Sequence, residues 1–132
     1  MKLESVRELR EKIINLEEKL MSLRDVQSSI AMTHIDGLPK AKSLDSSVEK
    51  IIAKIDEVER EIGGLQIELA NTMLALTEEI YKRVQGREAR LILHRRYVCC
   101  HMFKEIQADL HLSDARVFYL HRTAYKEFNA AA

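Results

Sequence analysis

Apolar residues near the start of the chain recur at spacings of three and four: Val6, Leu9, Ile13, Leu16, Leu20 and Leu23, with Gln27 and Ile30 extending the row. Glu4, Glu8, Glu11, Lys12, Glu17, Glu18 and Lys19 flank it, as charges flank the a/d seam of a coiled coil. A second row runs Val48, Ile51, Ile55, Val58, Ile62, Leu65, Leu69, Thr72 and Leu76. Past Met73 it drifts toward Ile80 and Val84, nearer the period of a helix packed on a globular partner. Between the rows, Asp36-Gly37 is a turn signal and Pro39 breaks any continuing helix. Asp45, Ser46 or Ser47 stands ready to cap the second helix by accepting from its first amides.

Two long helices with a short connection predict an antiparallel hairpin. At 1.5 Å per residue, a first helix over 2–32 is about 46 Å long and a second over 46–85 is about 60 Å. Folding back at Pro39 then sets Val6 near Asn71, and the stretch from Met73 to Val84 overhangs. The overhang needs a partner, and the C-terminal segment is the natural one. Ile14, Met21, Ile52 and Ile67 fall outside the seams, and Gly63-Gly64 weakens a helix interior unless something approaches closely. Together these predict self-association as a dimeric four-helix arrangement. Contact with the C-terminal segment, or plain scatter on the surface, is the alternative.

The last third changes pattern. Residues 87–98 read as an amphipathic helix with Leu91, Ile92 and Tyr97 or Val98 inward, and 103–110 as a short helix. His111-Leu112 makes a tight turn, and Ser113 caps a helix that begins at Asp114. Apolar residues at Ile106, Leu110, Leu112, Val117 and Leu120 match the core spacing of a helix-turn-helix. The predicted fold is therefore all-α: a long antiparallel coiled-coil hairpin over 1–85, then a helix-turn-helix domain over 86–132.

Composition supports helices and sharpens the division. Charged residues are 32% of the 132, aromatics 5%, with four Gly, one Pro and no Trp, which disfavours an all-β or a disordered chain. Lys+Arg and Asp+Glu both count 21, yet the balance is uneven along the chain. Residues 1–85 hold 13 basic against 16 acidic residues, a net of −3, and residues 86–132 hold 8 against 5, a net of +3. Such asymmetry suits a protein of which one end approaches phosphate. The acid-containing start is not a signal peptide, no apolar run is long enough to span a bilayer, and the adjacent Cys99 and Cys100 make a poor disulfide framework. A reduced, cytoplasmic protein is the expectation.

At Leu93-His94-Arg95-Arg96-Tyr97-Val98, Phe103-Lys104-Glu105-Ile106, Leu112-Ser113 and Val117 through Ala124, the sequence resembles region 4 of sigma-70-type factors, which reads promoter −35 elements. The layout of a coiled-coil front and this tail is similar to small phage and prophage proteins related to the ArpU-type late transcription regulators. The pattern departs from that region at Gln107, where a small residue lets the helices approach, and at His111, a turn position often held by Gly. Nothing corresponds to the aromatic-rich region that melts the −10 element. The resemblance implies a sequence-specific regulator that binds double-stranded DNA in the bacterial host cell. Asp114, Ala115, Arg116, Phe118 and Tyr119 face the bases in that arrangement, with Arg116 able to fork onto guanine. Arg95, Arg96, Lys104, Ser113, Arg122 and Lys126 sit on phosphates. The helical front sets dimer spacing or touches RNA polymerase.

Other chemistry finds little support. His94, Cys99, Cys100 and His101 are metal-ligand types, but adjacent cysteines rarely both coordinate. No Gly-rich phosphate loop occurs, and the Glu17-Glu18 and Glu78-Glu79 pairs lie on helix surfaces. No catalytic residues, cofactor, membrane partner or small-molecule substrate are expected. Two further readings stay open: a helical protein-interaction module that ignores DNA, and a small terminase-like packaging subunit.

Overall fold

A computed structural model of the chain describes residues 1–35 and 42–131; the turn expected at Asp36, Gly37 and Pro39 lies outside them. Among the described residues all regular structure is helical: α1 (Ser5–Ile35), α2 (Lys42–Arg83), α3 (Arg87–Leu93), a π turn (His94–Val98) that continues α3, α4 (Phe103–Leu110) and α5 (Asp114–Ala130). The chain is all-α, and no described helix is long and apolar enough to cross a membrane. α2 starts at Lys42, so Ser46 and Ser47 lie within its first turns.

The helices gather into two compact units, Glu11–Ile67 and Met1–Arg10 with Glu68–Ala132. In the first, the heptad positions are the covered ones: Ile13, Val58 and Ile62 are buried, and Leu16, Leu20, Leu23, Ile51, Ile55 and Leu65 are half-buried. A two-helix seam has no second layer to complete the burial. Arg24 bridges to Glu59 across it at 2.9 Å, an exposed pair worth at most about 1 kcal/mol. Ile14, Met21, Ile52 and Ile67, the residues outside the seams, are all exposed.

The second unit has the fuller core. Leu3 and Val6 from the N-terminus, Leu76, Ile80 and Val84 from α2, Leu93, Tyr97 and Val98 from α3 and its π turn, and Ala124 and Phe128 from α5 form one buried cluster. Leu3 and Val6 thus meet the part of α2 that was expected to overhang, and Arg10 Nη2 lies 3.8 Å from the Met73 sulfur. The register is shifted by several residues from the one that places Val6 at Asn71. Leu93, Tyr97 and Phe128 cover what remains, so the partner does come from the C-terminal segment. The core also runs across the position of Gly86, with Ile80 and Val84 before it and Val98 and Phe128 after it.

The π turn has a packing reason. Ile92 and Leu93 are buried, as are Tyr97 and Val98 five residues later. In an α-helix a spacing of five turns a side chain well away from its predecessor; widening to i→i+5 bonds brings it back. The Cys99 N–H donates to the His94 carbonyl at 3.1 Å in this manner. Leu91, expected inward, is half-buried.

Candidate nucleic-acid interface

The segment from α4 to α5 is built around a three-residue turn. α4 ends at His111, whose φ of 55° and ψ of 42° are left-handed, and the His111 and Leu112 N–H groups both donate to the Gln107 carbonyl. A β-branched residue there would be strained, whereas His pays a smaller steric penalty. Ser113 then takes extended geometry, and its Oγ accepts the Arg116 N–H at 3.2 Å, starting α5. Ile106 and Val117 are buried between the two helices. Leu110, Leu112 and Leu120 are not core as expected. They are half-buried and, with Leu91 and Arg116, line an open cleft of about 510 Å³.

All five residues expected to face bases, Asp114, Ala115, Arg116, Phe118 and Tyr119, are exposed on the first turns of α5. Ala115, Tyr119, Arg122 and Lys126 follow one another at spacings of four, three and four and so share a face, opposite the buried Val117, Ala124 and Phe128. Lys104, Arg116, Arg122 and Lys126 are exposed and form no ion pair among the described residues. The Arg116 guanidinium lies 6.0 Å from the Tyr119 ring centre. Lys104, Asp114 and Phe118 also border a cleft of about 460 Å³ with Phe103, Gln107 and Val117.

Arg95 and Arg96, expected on phosphates, also make contacts within the chain. Arg95 pairs with Asp109 at 2.8 Å, tying the π turn to α4. Arg96 donates to the His101 carbonyl at 3.0 Å and lays its guanidinium 4.3 Å from the Phe103 ring centre. Both are half-buried, and the extra residue per turn in the π segment aims them at α4. Ser113 has its oxygen occupied as a helix cap.

Behind the exposed face lies an aromatic cluster that sequence patterning alone did not single out. His121 packs edge-on against Phe103 at 4.9 Å, stacks near Tyr97 at 5.7 Å and approaches Tyr125 at 5.9 Å. Its Nε2 is 2.7 Å from the Tyr97 hydroxyl. Burial, then the Arg96 charge, lowers the His121 pKa, and burial with the nearby Glu4 carboxylate raises that of Tyr97 to about 12. A neutral imidazole and a protonated phenol can share this bond in either sense, according to the imidazole tautomer. Tyr125 donates to Glu4 Oε1 at 2.8 Å, and that bond raises the Tyr125 pKa. The signal available was the row Val117, His121, Ala124 and Phe128, an inward stripe at spacings of four, three and four.

Cys99 Sγ lies 3.7 Å from His94 Nδ1, and Cys100, at a φ of 58°, packs half-buried against the core. Among the described residues no three His, Cys, Asp or Glu side chains gather as metal ligands would. Compared with known protein families, with curated proteins and with solved structures, the chain finds no match.

Proposed function

We propose that this protein is a phage-type, sequence-specific DNA-binding regulator of transcription, with a helix-turn-helix tail similar to sigma region 4 and an antiparallel helical hairpin as its front. The observation that carries the reading is the start of α5. A left-handed His111 and a Ser113 cap set its first turns outward, and Arg116 stands exposed there with no acidic partner among the described residues. Arg116 then reads a base edge from the major groove, while Lys104, Arg122 and Lys126 hold phosphates. Arg95 and Arg96 serve by fixing α4 against the π turn. Recruitment is the mechanism that fits: the tail sits on promoter DNA and the front pairs with a second copy or meets RNA polymerase in the host cytoplasm.

The test is affinity for duplex DNA across a salt series. Four phosphate or base contacts by cations predict a slope of about −3.6 in log affinity against log salt. No measurable binding by folded protein overturns the reading.

A second reading has its own observation. Met102, Phe118 and Tyr119 are exposed apolar residues on and beside α4 and α5, a surface that also suits a protein partner. It predicts no salt-dependent DNA affinity.

A further inference from the structure

One flank of α5 carries a cleft for which base reading by Arg116 has no use. Phe118, Arg122, Tyr125 and Asn129 follow at spacings of four, three and four, and so share a flank about 70° around the helix from Ala115 and Tyr119. Phe118, His121, Arg122, Tyr125 and Lys126 line an open cleft of about 320 Å³ there. Three of these are aromatic rings, two are cations and none is an acid. Phe118 is 49% exposed and packs against Phe103, with 5.3 Å between ring centres. Held in this way, the ring has little rotamer freedom left to lose when a second flat group covers it. Arg122 and Lys126 are exposed, in no ion pair among the described residues, and one turn apart, about 6 Å along the axis. Phe118 is also a wall of the cleft of about 460 Å³ that Phe103, Lys104 and Gln107 border, so the two clefts meet at this ring. Of the acids close by, Glu4 accepts the Tyr125 hydroxyl and Asp114 borders the second cleft.

We infer that this flank binds single-stranded nucleic acid, with a base stacked on Phe118 and backbone phosphates on Lys104, Arg122 and Lys126. Exposed rings alone suit any apolar partner, and unpaired cations alone suit any anion. Rings interleaved with cations at one-turn intervals suit a chain that itself alternates a flat ring with a phosphate. A duplex hides the ring faces of its bases within its own stack, so only a single strand can use Phe118 as a platform. Every base has such a face, and the flank therefore accepts any sequence, unlike Arg116. The inference goes beyond the duplex reading and does not rest on it.

Fluorescence anisotropy of labelled oligothymidine with the full chain tests it. Three phosphate contacts predict a slope of about −2.1 in log affinity against log salt for a single strand. An abasic strand of the same length and charge is expected to bind roughly 5- to 150-fold more weakly, the loss of one stacked base. Phe118→Ala is expected to lower oligothymidine affinity by a similar factor, and Phe118→Trp to retain it. The abasic comparison uses the wild-type protein and so decides independently of the fold of any variant. Thymidine monophosphate, which cannot span the turn between two cations, is expected to compete only at far higher concentration. Arg116→Ala leaves single-strand affinity unchanged. Equal binding of the abasic strand or of polyglutamate, an affinity indifferent to Phe118→Ala in folded protein, equal competition by the mononucleotide, or no binding of oligothymidine overturns the inference. Duplex selection without oligothymidine binding removes this inference alone, and oligothymidine binding without duplex affinity removes the duplex reading alone.

Discussion

The Tyr97 hydroxyl and Nε2 of His121 lie 2.7 Å apart, and this bond joins the π turn to the middle of α5. It binds the helix that presents the outward face to the core that also holds Leu3 and Ile80. Orientation of Ala115, Tyr119 and Arg122 therefore depends on a neutral imidazole two to three turns inside the helix.

That dependence has a pH sign. The folded-state pKa of His121 is lowered by burial and then by Arg96, and that of His94 by burial and then by Arg95. An unfolded chain takes up these protons at the ordinary value near 6.5, before the folded one does. Stability is then fully present above that value and declines as pH falls below it. Urea midpoints measured between pH 8 and pH 5 should drop on the acid side, and His121→Phe should flatten the decline. An unaltered profile in that variant would contradict the assignment.

Tyr97 gives the opposite limb. Its pKa, raised to about 12 against an ordinary 10.0, contributes stability that is complete below pH 10 and lost as pH rises through 12. Absorbance of tyrosinate during alkaline titration should show tyrosines ionising late, Tyr125 among them, and Tyr97→Phe should remove the one near 12.

Phe128 is fully buried and carries the Arg83 guanidinium 4.6 Å above its ring. Phe128→Ala should cost about 3–5 kcal/mol, read from denaturant midpoints, and should lower the helical signal of the whole second unit. A loss below about 1 kcal/mol would mean that α5 is not anchored by this contact.

Glu4 and Tyr125 are 121 positions apart in sequence yet joined by a 2.8 Å bond. A double-mutant cycle with Glu4→Gln and Tyr125→Phe should give a coupling of about 1 kcal/mol, since the acceptor is charged but the site is partly solvated. Zero coupling would dissociate the N-terminus from α5.

What could be read from the sequence was what repeats. The helical spans of α1 and α2, the Ser113 cap and the turn at His111 follow from spacing and local chemistry, and the structure has them at each place. Leu110, Leu112 and Leu120 were misjudged because apolar spacing does not reveal which side of a small domain remains open as a cleft. The contacts of Arg95 with Asp109 and of Arg96 with Phe103 had no trace in the sequence, because a π turn leaves no mark in composition. The Glu4–Tyr125 bond is a long-range contact with no periodic trace.

Under the proposed DNA-binding function, the exposed basic residues separate two contributions to binding. Lys126→Ala should weaken affinity evenly across sequences and reduce the salt slope by about 1, with thermal stability unchanged within about 0.5 kcal/mol. A sequence-selective loss would move Lys126 from phosphate to base.

The central claim rests on Arg116, and selection from a pool of random duplexes at two salt concentrations tests it most directly. The wild-type chain should enrich a defined site whose occupancy falls steeply with salt, and Arg116→Ala, equally folded, should lose discrimination at one base pair, worth about 1–3 kcal/mol. No enrichment, or the same site selected equally sharply by Arg116→Ala, would contradict the assignment of α5 as the reading helix.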